Sequence, residues 1–134
     1  MKVIWKFVIV LVALSSTAVS QARVYVQRLR LAEWLSYSLA DRKVLPDISD
    51  LKGRNLNAEV VLEIAISKTG DVTHARAAKG NPALFKRSEE AALKWHYKPY
   101  VLNGTPIEAD SELRFRFERN KVEVVVPPRK DKGL

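Results

Sequence analysis

The chain has 134 residues, with 23 Lys and Arg against 15 Asp and Glu, a formal net charge of +8, and no cysteine. That length holds one small domain, and the missing thiols exclude cysteine nucleophiles, cysteine-ligated zinc and disulfides. The basic excess suits anionic counterparts such as lipid head groups, cell-wall polymers or acidic protein segments, or serves only as a soluble surface. Taking the elements in chain order, residues 1–22 open with Lys2 and Lys6 and continue with an apolar run over residues 7–14. Small side chains then stand at Ser20 and Ala22, the −3 and −1 positions of a cleavage site, and the segment reads as a secretory signal peptide. The run is short for a bilayer span, which needs about 20 residues. Neighbouring Ser and Thr extend it to a marginal one, so an uncleaved inner-membrane anchor is the alternative. An exported protein rarely meets nucleic acid, so no nucleic-acid partner is expected.

Residues 23–45 form an N-terminal helix and connector. Val26, Leu29, Trp34, Leu35 and Leu39 recur at helical spacing and predict a helix over about residues 27–42, with Val24 and Val26 open to a short extended arm. Pro46 starts the main domain, residues 46–126, and the loop after it ends at Gly53. Residues 58–67 alternate as a half-buried strand with Val60, Leu62, Ile64 and Ile66 on one side. A turn follows in which Gly70 takes positive φ. The return strand, residues 72–79, needs a bulge around residues 73–75 if Val72 and Ala77 are both to face the core. Asn81 is an N-cap and Pro82 a first helical residue. Leu84, Ser88, Ala91, Ala92 and Trp95 then make one buried stripe, and Pro99 stops the helix. Asn103-Gly104 turns the chain into a strand with Leu113, Phe115 and Phe117 alternating with Arg114 and Arg116. Asn120 can turn it back into residues 122–126. Residues 127–134 lack apolar periodicity and read as a mobile tail. The sum is an α+β domain, two helices packed on one face of a small three- to four-stranded antiparallel sheet, with Trp34, Trp95, Phe115 and Phe117 supplying much of the core.

Little here advertises chemistry. His74 and His96 lie on different elements with no companion ligands, so no metal is expected. Asp47 and Asp50 can be read as an acid–base pair, in a stretch of ordinary loop composition. No nucleophile triad or phosphate loop appears, no catalytic residue or cofactor is expected, and the chain does not read as an enzyme. Arg114 and Arg116 are either an anion or acidic-peptide site, or solvent-facing charges that protect a strand edge.

The order Trp95, aromatic Tyr97, Pro99, then Asn103-Gly104, Pro106 and Ile107 resembles the C-terminal domain of TonB-type energy transducers. Pro46 and Gly70-Asp71-Val72 fit the same pattern. Ala58-Glu59-Val60 and Ala78-Lys79-Gly80 stand where the family has Gly-x-Val and Ser-Ser-Gly, and Phe85 and Arg87-Ser88 replace its usual residues early in the helix. The resemblance covers about residues 46–117. Its fold markers here are Pro46, Gly70, Trp95, Pro99, Asn103, Gly104 and Pro106, which anchor a core, stop a helix and make turns.

The resemblance implies a Gram-negative periplasmic module linked to transmembrane transport across the cell envelope. Such a domain captures an extended segment of an outer-membrane receptor-like protein by strand addition. The docking edge it implies is Glu112, Leu113, Arg114, Phe115, Arg116 and Phe117, unless residues 122–126 fold back and cap that edge in cis. A homodimer through an open edge is a further expectation. The histidine-bearing anchor and the long Pro-rich linker of a full transducer do not occur in this sequence. A freestanding exported module is therefore expected, with a short inner-membrane-anchored accessory or a cell-wall-binding structural protein as alternatives.

Overall fold

In this computed structural model residues 28–130 are described; the expected signal or anchor segment lies outside them. The chain starts with a short strand β1 (Arg28–Arg30) and a helix α1 (Glu33–Leu39), followed by β2 (Ala40–Arg42). A single 3-10 turn leads to the long strand β3 (Asn57–Ile66), which pairs antiparallel with β4 (Val72–Lys79). A second 3-10 turn, Pro82–Leu84, feeds α2 (Phe85–Leu93), and β5 (His96–Tyr97) and β6 (Tyr100–Leu102) precede β7 (Thr105–Glu118) and β8 (Lys121–Val124). The sheet order is β1-β7-β3-β4, with β6 and β8 also on β7, while β2 and β5 form a separate pair.

The α+β class holds, and the sheet differs from the expected one in two ways. It has six strands rather than three or four, and it is mixed, because β1 runs parallel to β7. The helix expected over residues 27–42 is confined to α1. Residues before it are extended, and α1 ends where Ala40 takes β geometry, φ −69° and ψ 118°. The apolar spacing of Leu29, Leu35 and Leu39 thus spans two elements: Leu35 and Leu39 on α1 pack against the core, and Leu29 on β1 is exposed.

Burial alternates along β7, whereas on β3 Val61 and Ala65 of the opposite face are buried as well, so the strand expected to be half-buried is covered on both sides at its centre. Val60, Leu62 and Ile64 on β3, and Leu113, Phe115 and Phe117 on β7, are buried on one face, in one core cluster with Leu84 of the 3-10 turn and with Ala91 and Ala92 of α2. The return strand contains a bulge: Ala65 faces His74 and Ile66 faces Val72, leaving Thr73 extra. A second irregularity leaves Ala78 extra between Val61–Lys79 and Leu62–Ala77. Trp95 is the centre of the core. Its ring lies 6.4 Å from Tyr37, 6.0 Å from Tyr97 and 6.2 Å from Phe115, and its Nε1–H donates to the Val44 carbonyl at 2.7 Å. Trp34 does not join them. It is half-buried on α1, facing the tail, where the Arg129 guanidinium lies 5.1 Å from its ring centroid. Tyr37 and Tyr97 take the place in the core that the sequence reading gave to Trp34.

Gly70 is fixed by more than its turn. Its φ is +93°, and a Cβ would sit 1.7 Å from the Tyr97 carbonyl oxygen, because the Tyr97 N–H donates to the Gly70 carbonyl and draws β5 against the hairpin. At the other turn, Asn103 and Gly104 have φ of +51° and +79°. Positive φ at both central residues is the two-residue turn that suits a twisted hairpin.

Candidate functional site

The β7 strand is the longest element, and its two sides are used differently. Toward β3, residues 109–118 pair with residues 66–57 in unbroken register. On the opposite side three separate features follow one another. β1 pairs in parallel with Glu108, Ala109 and Asp110, and the Leu31 N–H continues this to the Asp110 carbonyl at 2.8 Å. β8 pairs antiparallel with Phe115, Arg116, Phe117 and Glu118, extended by Val125, whose N–H donates to the Arg114 carbonyl at 3.0 Å. Between them, Ser111 to Leu113 have no strand partner on this side among the described residues. Even-numbered residues turn their backbone toward it, as Asp110 and Arg114 do, so alternation aims the Glu112 amide and carbonyl into the gap.

The expected edge residues Glu112, Leu113, Arg114, Phe115, Arg116 and Phe117 therefore do not form an open edge. Most of that stretch is covered in cis, by the return of the chain through Arg119, which has φ +48°, and Asn120. Leu113, Phe115 and Phe117 point into the core. Glu112, Arg114 and Arg116 point to the other face of the sheet.

That face is laced with ion pairs. The Arg114 Nε–H donates to both Glu33 carboxylate oxygens at 3.0 and 2.9 Å, and its other nitrogens lie 3.4 Å from Glu59 and from Glu112. Burial raises the Glu33 carboxyl above its ordinary range despite the pull of Arg114. Burial alone would lower Arg114, yet Glu33, Glu59 and Glu112 together hold it above its usual value. Arg116 lies 3.7 Å from Glu59 and from Glu123. These arginines are neutralised by carboxylates of α1, β3, β7 and β8, so they are not free to receive an anion.

At the gap, an open groove of about 380 Å³ is lined by Arg30, Leu31, Trp34, Glu112, Pro127 and Lys130, among others. The segment read as a mobile tail thus begins with residues placed against Trp34; residues 131–134 lie outside the described part. Beneath the groove, Ser111 occupies a core position. Its hydroxyl is 2.7 Å from the Ser36 hydroxyl and donates to the Leu31 carbonyl at 3.1 Å, tying α1 and the end of β1 to β7. Sequence reading missed this, although Ser111 interrupts the apolar series Ile107, Ala109, Leu113 at the one place where a polar partner is needed.

The other singled-out residues have structural partners. Asp47 accepts from the Ser49 N–H at 2.9 Å, and Asp50 is held by Arg87 at 2.7 Å. These contacts keep both carboxyls below their ordinary range, which suits fixed anions rather than a proton-exchanging pair. His96 Nδ1 lies 2.7 Å from Asp41 and its Nε2 3.7 Å from Asp71, a clasp joining β2, β5 and the β3–β4 turn. His74 is exposed on β4. Among the described residues no group of three or more ligands could hold a metal ion, and no helix is long and apolar enough to cross a membrane.

The family model described as the Gram-negative bacterial TonB protein C-terminal matches residues 49–118, just over half of the chain. The chain belongs to the TonB C-terminal domain family. A search of solved structures finds the solution NMR structure of the Pseudomonas aeruginosa TonB C-terminal domain, 21% identical, covering 61% of this chain and 86% of that one with a TM-score of 0.49. No curated protein matches the chain. Membership makes residues 49–118 a TonB-type, transport-related module. The fold markers Gly70, Trp95, Pro99, Asn103, Gly104 and Pro106, read from the sequence, all lie inside the matched span, and Pro46 lies just before it.

Proposed function

We propose that this TonB C-terminal domain acts on the periplasmic side of the envelope, delivered there by residues 1–22. There it captures an extended segment of an outer-membrane receptor-like protein as a strand on β7. The observation that carries the reading is the state of the β7 side facing away from β3. It is a 14-residue strand whose side is held only by tenants of three and four residues, with a gap at Glu112. A backbone template of that length, closed by short pieces of its own chain, is suited to exchange one strand for another. The incoming segment would displace β8, whose Val122 and Val124 are only half-buried. Recognition would rest on backbone hydrogen bonds along β7, with no group acting as a catalyst.

Peptides from the periplasm-facing segments of outer-membrane receptors, titrated against the full chain and against a chain ending at Asn120, test this. Binding that is tighter to the shortened chain and that shifts the amides of Arg114, Arg116 and Glu118 supports it. Binding that leaves those amides unmoved, or no binding to either chain, overturns it. Intact mass and N-terminal sequence of the protein from fractionated cells test the location. A soluble species starting at Arg23 fits a periplasmic module, and a membrane species starting at Met1 replaces it with an anchored accessory.

A further inference from the structure

We propose that the seam where the connector crosses the end of α2 is a docking surface for an anionic lipid bilayer. Residues 42–47 run back along α2 from its C-terminal end. The Arg42 Nε–H donates to the Lys94 carbonyl at 2.9 Å, the Trp95 ring N–H to the Val44 carbonyl at 2.7 Å, and Arg87 to the Asp47 carbonyl at 2.8 Å. β2 and β5 pair beside them, and the Lys98 N–H donates to the Leu39 carbonyl at 2.7 Å. These bonds hold residues 41–45 and 93–98 together as one surface at this end of the domain.

Two kinds of side chain stand out of that surface. Leu45 and Leu93 are each 48% exposed, the first next to the pinned Val44 and the second next to Lys94. Leu93 lies off the stripe of Ser88, Ala91 and Ala92 that α2 buries, so the core gives no reason for a leucine there. Arg42, Lys43, Lys94 and Lys98 are exposed, and among the described residues none of the four has a carboxylate within ion-pair distance. The Lys43 ammonium lies 4.1 Å from the Tyr37 ring centroid, which leaves its charge uncompensated. The acid within the two segments, Asp41, is held by His96 at 2.7 Å. Glu90, one turn before Lys94 on α2, offsets at most one of the four charges.

Cations and apolar side chains on one surface suit a bilayer, whose anionic head groups take the first while its interface takes the second. A phosphate ion or an acidic peptide would use the cations and leave both leucines in water. Elsewhere on the molecule one half of the combination is missing. Val101 and Leu102 at the β6–β7 turn are 52% and 38% exposed, but residues 99–107 contain no cation. Leu29 stands between Arg28 and Arg30, both taken by carboxylates of β7. Each basic side chain close to an anionic surface is worth about fivefold in affinity. Four of them give a binding that salt weakens steeply.

The test uses the chain starting at Arg23, which keeps every residue of the core cluster and removes the apolar run of residues 7–14. It should sediment with vesicles of mixed phosphatidylcholine and phosphatidylglycerol, less so as salt is added, and not with vesicles of phosphatidylcholine alone. Lys94→Gln with Lys98→Gln should weaken that binding about tenfold to thirtyfold, and Leu45→Ser with Leu93→Ser about threefold to tenfold. Lys52→Gln with Lys79→Gln makes the same charge change away from the seam and should leave binding within about twofold. On bicelles of the mixed lipids, the amides of Lys43, Leu45, Leu93 and Lys94 should broaden first. Equal loss from the two lysine pairs, equal binding to both kinds of vesicle, or broadening centred on residues 101–105 overturns the assignment. Binding to neither vesicle overturns it as well, and sedimentation with purified cell-wall polymer instead would give the surface to that polymer.

Discussion

Single residues decide how this small domain closes. Trp95 is 1% exposed, touches Tyr37, Tyr97 and Phe115, and supplies a hydrogen bond to Val44 in the connector. Trp95→Ala removes the largest core side chain and should cost about 3–5 kcal/mol in urea unfolding, enough to leave much of the population unfolded. Gly70 and Gly53 provide a paired comparison. Both have positive φ, but a Cβ at Gly53 meets nothing within 4 Å while one at Gly70 meets the Tyr97 backbone. Gly53→Ala should cost about 1 kcal/mol, the left-handed strain alone. Gly70→Ala should cost clearly more and release β5, seen as a lost Tyr97 amide protection. Equal costs at the two sites would mean that the β5 contact to the hairpin adds nothing.

At the level of elements, the cover on β7 is the point of interest. Val122 and Val124 lean on the core while Glu123 pairs with Arg116, so β8 is held by two half-buried valines and exposed charges. Val122→Ser with Val124→Ser should speed exchange at Arg116 and Glu118 by at least about tenfold, with a smaller change in the global melting temperature. An unchanged exchange pattern would mean that β8 is held by its backbone pairing alone. Much of this architecture was legible in the sequence. Alternation marked β3 and β7, Asn81-Pro82 marked the approach to α2, and the crowding of Val72 and Ala77 onto one face required the bulge. The helix expected to run to Pro99 instead ends at Leu93, because His96 and Tyr97 leave it to form β5. The fold-back of β8 was readable from Asn120 and the valine run.

The pieces that were not legible are those fixed by distant partners. β1 has three residues and no strand pattern of its own. Its placement comes from Asp110, Glu112 and the tether through Leu31 to Ser111. The Arg114 carboxylate cage draws on α1, β3 and β7 at once, and the His96 clasp joins residues from three elements. No local spacing encodes such meetings, which is why Arg114 and Arg116 read from sequence as available cations.

For the molecule as a whole, stability should carry an alkaline limit set in part by Tyr97. Burial raises its phenol well above the ordinary value. The unfolded chain releases that proton above about pH 10 while the folded one keeps it, so stability is full below that pH and falls as pH rises beyond it. Tyr97→Phe should flatten this alkaline fall in a pH series of thermal melts, and an unchanged slope would place its origin elsewhere. On the acid side, Asp41 lies below its usual pKa through its hydrogen bond to His96, and Asp50 through Arg87. Their contributions are present above the ordinary aspartate range and are lost as pH falls through it.

Strand capture requires the outer side of β7 to open while the domain stays folded. Native-state hydrogen exchange reads this residue by residue, because the backbone of Arg116 and Glu118 faces β8 while that of Phe115 and Phe117 faces β3. If β8 is a replaceable cover, the Arg116 and Glu118 amides exchange through a local opening at lower free energy than Phe115 and Phe117, which exchange only with global unfolding. If all four exchange together at the global limit, the edge is never presented to a partner and strand capture on β7 is contradicted.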